Sequence, residues 1–539
     1  MSAGERTLNN CPETVEPIDL TVHGKLPEWL DGVLYKAGQG VFSITLSDGQ
    51  THKIAHPFDG LGQVHRFEFL GASNTVRYNS RYTARGYEKR IERRDDTIIM
   101  FGRDPCQTAL GQLQSFYHRL LSNHEAERKM HEEDPSSENI NVTVTPNFPL
   151  PKEMTDDKLV VVVKTDANML QLIDAETLEP KKLLDYTAID PNLVGQVSAA
   201  HHQTDTSTSE YFNFVMHLGK DITLSAFSLD ASGKSHPFES IRHPASREGQ
   251  NILPSYIHAF SLTDRYVVLP NYPYYYAWNG LSLIWSGSLT DAFRWDPSRP
   301  TLFHVLDRQT RKHVATYEGD AFFAFHTLNA WDEGEDVVFD TCAYEDASVV
   351  IDNTKNFGTT GKTEKKNGRK PANVRRYRLK DVKGVAARQL AGSKNKNVEL
   401  PRAEYEVRAV GLELARMHPA YERKPYRYAY GTASDGTTNH ILKKVDLNGG
   451  ERNAVWLEEG LSPSEPIFIP TQYGKEGADE DDGIVLSIVN DAYAGKRCFL
   501  LVLDARTFKE LARAEVGQFS PVTLHGSFIN GHGKNVSIN

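Results

Sequence analysis

The sequence predicts an all-β protein, built as a sandwich or a propeller. Three observations predict it. Short β-branched or aromatic runs recur along the whole chain, turn residues flank most of them, and nothing resembles the strand–helix alternation of a parallel sheet. Taken in chain order, the first strong element is the one candidate for a long helix, Cys106 to Asp134, apolar at its start and heavily charged toward its end. Strands are expected at Lys158 to Asp166 ("KLVVVVKTD"), Arg265 to Pro270 ("RYVVLP") and Asp336 to Tyr344 ("DVVFDTCAY"). Two more are expected at Gly483 to Val489 ("GIVLSIV") and Cys498 to Ala505 ("CFLLVLDA"). Thr354 to Arg376, rich in Lys, Gly and Asn, and the acidic Gln472 to Gly483 read as surface insertions. The repeat periods of WD or kelch propellers are not readable, so periodicity leaves sandwich and propeller both open.

Length alone would allow three or four ordinary domains, but no linker divides the 539 residues, and a single domain over 1–539 is expected. A net charge of -10 excludes a general nucleic-acid binder, which would carry a basic stripe. The four cysteines, Cys11, Cys106, Cys342 and Cys498, are scattered, with no CxxC, and read as reduced thiols. The N-terminal residues show no apolar signal segment, and no run of 18 apolar residues occurs, so the expected location is cytoplasmic.

The histidines carry the chemistry. In "AFFAFHTLNAWDEG", His326 is set among Phe322, Phe323 and Phe325, where a polar ring is costly to bury. His201 in "GQVSAAHHQTD", His258 in "PSYIHAFSLTD" and His525 in "SPVTLHGSFIN" have similar small or apolar, strand-like surroundings. One such residue alone is ordinarily a core imidazole bonded to a carbonyl. Four together point to a shared metal ion, which repays their desolvation collectively. Their wide separation matches neither a zinc finger nor HExxH, so each must come from a different structural unit, as inner strands of a propeller would supply. Neutral imidazoles suit Fe(II), Cu or Zn, and ligand type alone does not choose among them.

An ordered set of motifs then gives a resemblance. "LDGVLYKAGQGVF", "HPFDGLGQVHRFEF", "SAAHHQTD", "YIHAFSLTDRYVVLP", "FFAFHTLNAWDEG", "KPYRYAYG", "SEPIFIP" and "PVTLHGSF" together resemble the carotenoid cleavage oxygenase family over nearly the whole chain. The resemblance implies a seven-bladed β-propeller with a few helices capping the tunnel-entrance face. It implies one Fe2+ ion per chain, held by His201, His258, His326 and His525, with O2 as co-substrate. His201 rather than His202 matches the first ligand, because Asp205 follows it at the family's spacing; the family's usual Pro after that ligand is here His202. The resemblance also implies three acids behind the ligands: Glu413, Glu465 and, where the family usually has Glu, Asp166.

The reaction so implied is oxidative scission of a C=C bond to two carbonyl products. No flavin, nicotinamide or 2-oxoglutarate motif is present, and no dedicated general acid or base is required. The expected substrate is an apolar polyene, a carotenoid or apocarotenoid such as torulene. The alternative is an aryl alkene, a hydroxystilbene such as resveratrol. Stilbene-cleaving relatives place a Lys directly before the acid behind the ligand; here Thr165 holds that place and Lys164 is one residue further back, on the opposite face of a strand. Thr165, Phe101 and Phe58 are therefore read as lining a mostly apolar tunnel. Ala109 to Leu121 and Tyr274 to Phe293 are expected to form an apolar patch for peripheral membrane contact around its mouth. An isomerohydrolase, or a propeller that has lost its chemistry and serves as a scaffold, are the remaining alternatives.

Overall fold

The computed structural model describes residues 8–538 apart from 55, 96, 103–113, 116–118, 120–123, 351–369, 393–398, 435–439, 472–478 and 492–494. Cys106, most of the 109–121 segment and much of both expected insertions lie outside the described residues.

Seven antiparallel sheets of four to six strands follow one another and form a seven-bladed β-propeller. Blade two runs from Thr143–Pro146 to Pro180–Leu184, and blade three from Val197–Ser198 to Ser235–Pro237. Blade four runs from Ser261–Leu262 to His313–Gly319, blade five from Phe323–Glu333 to Glu404–Val410, and blade six from Glu413–Arg416 to Ala454–Trp456. Blade seven, from Ser462–Pro463 to Glu510–Gly517, takes its outer strand, Thr21–Gly24, from near the start of the chain. Blade one is likewise composite: Asp31–Val41 pairs with Leu61–Leu70 on one side and with Val522–Asn530 on the other. Two blades thus interlock early and late segments. Such sharing of strands ties the two ends of the chain into the ring.

The core lies between blades, and this explains the uninterrupted apolar runs. Side chains alternate faces along a strand. In Val161–Lys164, Val161 and Val163 pack with Tyr35 and Val64 of blade one, whereas Val162 packs with Tyr211 and Phe227 of blade three. In Cys498–Asp504, Leu500 and Val502 face blade one, while Phe499, Leu501 and Leu503 face blade six. A strand buried on both faces needs apolar residues at consecutive positions, which a one-sided sheet does not.

The long helix expected over Cys106 to Asp134 is described as a helix at His124–Glu133. The acidic Gln472 to Gly483 segment is not wholly superficial. Asp481 is buried against Lys444, at 2.8 Å, and Glu480 accepts the backbone N–H groups of Arg427 and Tyr428. Arg376, expected at the end of the basic insertion, lies in the strand Asn373–Leu379 and pairs with the buried Asp340. Cys11, Cys342 and Cys498 are buried free thiols.

Candidate metal centre

Every blade sends one residue to a single point. His201 follows the first strand of blade three, His258 precedes that of blade four, and His326 lies in that of blade five. His525 comes from the closing strand of blade one, Val522–Asn530. One nitrogen from each of the four rings lies within 4.8 Å of the others. Blades two, six and seven supply Asp166, Glu413 and Glu465. Their carboxylates stand behind three of the rings. His258 Nδ1 is 2.8 and 2.9 Å from the two oxygens of Asp166, His326 Nδ1 is 2.6 Å from Glu413, and His525 Nδ1 is 2.9 Å from Glu465. A ring nitrogen facing a carboxylate carries the proton, so the Nε2 lone pairs of these rings are directed to the common point.

The shorter Asp166 makes a direct hydrogen bond from a backbone tied to blade three. Ala167 bridges to Val197, and the Asp166 carbonyl accepts the Ser198 N–H at 2.9 Å. Asp166 also accepts the Tyr256 hydroxyl, at 2.8 Å. Glu465 is wholly buried. Burial alone would raise its carboxyl, but Lys36, Arg416 and His525 outweigh burial and hold it well below the usual carboxylate range. Lys36 Nζ donates to it at 3.0 Å, and both side chains are 1% exposed.

The donor set fits a metal ion. His326 Nε2 is buried with no hydrogen-bond partner, a state that costs about 1–3 kcal/mol unless something takes up the lone pair. His201 Nε2 and His525 Nε2 stand 3.1 Å apart, and a cation among the rings makes that approach favourable. Burial, reinforced by the neighbouring imidazoles, pushes the His201 ring well below its ordinary value, and burial pushes His525 down to about 3. Both rings are therefore neutral, the form that binds metal.

The point has an aromatic side and a polar side. Phe325 lies against His258 and His326, with centroids 5.5 and 6.0 Å away. Phe58 meets Phe325 edge-on at 6.3 Å and Phe101 at 5.1 Å, so both expected lining residues join one wall with the ligand-bearing strand. Thr165 is half-buried next to Asp166. His201 also borders a polar cavity of about 130 Å³, lined by His202, Gln203, Thr327 and Glu422 among others.

Sequence reasoning missed the supports of this arrangement. Tyr256 stands two positions before His258 and shares Asp166 with it, a proximity in sequence that could have flagged it. Lys36 gave no local signal, because its partner Glu465 is in another blade. Asp59 holds the Phe101 end of the wall by accepting the Phe101 and Gly102 N–H groups at 2.6 and 2.8 Å; burial raises its carboxyl to about 7 against those two bonds.

A closed propeller in which four imidazoles meet beside an aromatic wall defines a class of propeller able to hold a metal ion. A family model described as RPE65: Retinal pigment epithelial membrane protein matches residues 8–530, and the chain belongs to that family. It is similar to the torulene dioxygenase of Fusarium fujikuroi, 29% identical over 97% of this chain and 92% of the relative. It is 30% identical to the carotenoid dioxygenase of Neurospora crassa, over 97% and 90% of the two chains. The β,β-carotene 15,15'-dioxygenase of Mus musculus is 29% identical over 96% and 90%. Among solved structures, cobalt-substituted Synechocystis ACO shares the fold with a TM-score of 0.73, 22% identity and 97% coverage of both chains.

Proposed function

We propose that this enzyme is a non-heme Fe2+ dioxygenase that cleaves one C=C bond of a carotenoid or apocarotenoid with O2. The observation that carries the reading is the meeting of four imidazoles, three of them backed by carboxylates, in a chain similar along nearly its whole length to dioxygenases named for torulene and β-carotene. His201, His258, His326 and His525 hold the ion; Asp166, Glu413 and Glu465 fix three of the rings. Bound ferrous iron supplies the redox chemistry that activates O2. The reaction balances without a further reductant: one C=C and one O2 give two C=O groups, one oxygen atom in each. No side chain need move a proton. The chain's work is to place one double bond beside the centre and keep water away, and Phe58, Phe101 and Phe325 suit both tasks.

A phenolic alkene is less well served. Lys164 is turned from the aromatic wall toward His202 and the Ala200 carbonyl, so it is not placed to hold a phenol hydroxyl. A lipid-soluble substrate also accords with the exterior. Trp278, 66% exposed, lies at a kink just before the short helix Leu281–Ser286, which carries the exposed Leu281 and Trp285. That segment leads into Ser288 to Thr290, which is tied to Met100 and Phe101 through the Met100–Ser288 bridge and the Thr290 N–H. The exposed rings therefore sit beside one end of the wall, where peripheral contact with a bilayer would deliver a polyene. No helix among the described residues is long and apolar enough to cross a membrane. The interlocked ends support one folding unit over 1–539.

The test is to load the purified chain with Fe2+ without air, admit O2, and supply torulene, β-apocarotenals and resveratrol in turn. Paired aldehydes from a polyene, with stoichiometric O2 uptake and loss of both in Glu413→Gln, are expected. Cleavage of resveratrol alone, or no O2 uptake with any of them, would overturn the reading.

A further inference from the structure

Three of the four imidazoles are oriented by a carboxylate. His201 has none behind it among the described residues, yet its ring meets the other three, with centroids 4.2 to 4.9 Å away. Something else must fix it, and the candidates are on its backbone. Ala199 is gripped at both N–H and C=O by the Asn213 amide, at 3.2 and 3.1 Å. The Ala200 N–H donates to Asp166 at 3.3 Å, and its carbonyl accepts Thr143 Oγ1 at 2.9 Å. The His201 N–H donates to the His258 carbonyl at 3.2 Å.

The remaining contact has no obvious purpose in a core. Lys164 is 1% exposed, and no carboxylate pairs with it among the described residues; Lys36 and Lys444, equally buried, each have one. Its Nζ donates to the Ala200 carbonyl at 3.2 Å and to His202 Nδ1 at 2.7 Å. Those acceptors are the residues immediately before and after His201. The His202 ring is itself fixed, stacked on Tyr211 at 4.5 Å with 19° between planes, and the Tyr211 hydroxyl meets that of Tyr186 at 2.6 Å. His201 sits at a bend between the strands Val197–Ser198 and Gln203–Asp205. Holding the residue on each side of it restrains the backbone from which its ring projects.

We infer that Lys164 is a positioning residue for the metal centre: with His202 it forms a clasp across His201 that restrains the backbone carrying this imidazole, where carboxylates hold the rings of the other three. The inference rests on the four-imidazole reading and deepens it. A partner behind a metal ligand is worth about 10–100-fold in metal affinity, and burying a lysine amine with no carboxylate beside it is an expensive way to obtain it. A role of this kind accounts for that expense.

The test uses the full chain, stripped of metal and titrated with Co2+ against a competing chelator. The visible Co2+ bands report ligand geometry, and thermal unfolding of the metal-free chain reports the fold. In Lys164→Met, Co2+ binding is expected to weaken by about tenfold or more and the bands to shift. His202→Phe keeps the ring stacked on Tyr211 but removes the acceptor, and is expected to behave alike; it decides the matter if Lys164→Met does not fold. The double variant should lose little beyond either single one, because both remove one interaction. His202→Gln, which restores an acceptor oxygen, should recover most of the affinity. Lower thermal stability with unchanged Co2+ affinity and bands in both single variants would overturn the clasp and leave the four-imidazole centre standing. Failure of the unaltered chain to bind Co2+, or binding indifferent to His258→Ala, would overturn the centre itself.

Discussion

Lys36 shows how much of the centre depends on residues that never approach it. Its ammonium lies between Glu465 and the Leu524 carbonyl, both at 3.0 Å, and Glu465 in turn holds His525. Removing one partner of a buried pair strands the other charge. Lys36→Met is therefore expected to cost about 3–5 kcal/mol in denaturant-induced unfolding of the metal-free chain, and adding Glu465→Gln should return part of that loss. A double variant no more stable than Lys36→Met would show that the pair is not what matters. At this scale the sequence was legible where chemistry has a motif. The four histidines and three acids could be named because each sits in a recognisable stretch. Lys36, in "GVLYKAGQG", could not, because a lysine in a strand reads as solvent-facing until its partner's position in space is known.

Elements make the centre possible by approaching closely. Asp31–Val41 and Val522–Asn530 lie side by side, and a Cβ at Gly38 would fall 2.1 Å from the Val522 carbonyl oxygen. The position of a Cβ is set by its own backbone and the oxygen belongs to the facing one, so neither can rotate away. Gly38→Ala is expected to cost about 1–3 kcal/mol in urea unfolding, as overpacking does. It should also weaken metal binding, because Thr523, the residue paired with Gly38, is two positions from His525. A Gly38→Ala chain with unaltered midpoint and metal content would mean that the two strands separate freely. Strand existence was the easiest feature to read, since runs such as "DVVFDTCAY" and "CFLLVLDA" are buried on both faces and appear as strands at Asp336–Tyr344 and Cys498–Asp504. The aromatic wall was legible only as a list of phenylalanines. Its assembly depends on Asp59 reaching the backbone of Phe101, which no local pattern announces.

Across the whole molecule, blades are tied by charge as well as by apolar packing. Asp205 of blade three accepts Arg308, beyond the third strand of blade four, at 2.6 Å, and Arg423 of the blade-six connection at 2.9 Å. Burial would raise the Asp205 carboxyl, but Ser207 and the two guanidinium groups outweigh it and bring it down from 3.8 to about 2. A value lower in the folded chain than in the unfolded one means stabilisation that is complete above pH 3.8 and is lost as the pH falls toward about 2. Asp205→Asn is expected to unfold about 2–3 kcal/mol more easily at neutral pH, because it takes a buried carboxylate from two guanidinium groups that retain Glu210 at 3.5 Å and Asp264 at 2.9 Å. That gap should close on acidification through the same window, and a gap independent of pH would refute the assignment. The number of blades was not legible from periodicity, since sheets of four to six strands joined by unequal connections leave no repeat; the ordered motifs supplied it. One consequence of drawing a residue from each of seven sheets concerns the order of synthesis. His201, His258 and His326 emerge early, but the fourth imidazole arrives on a strand made after all the intervening blades. A nascent chain can present at most a three-cornered, poorly retentive nest, so stable capture of the ion proposed here waits until the circle is sealed, and metal content becomes a tally of chains that have finished folding.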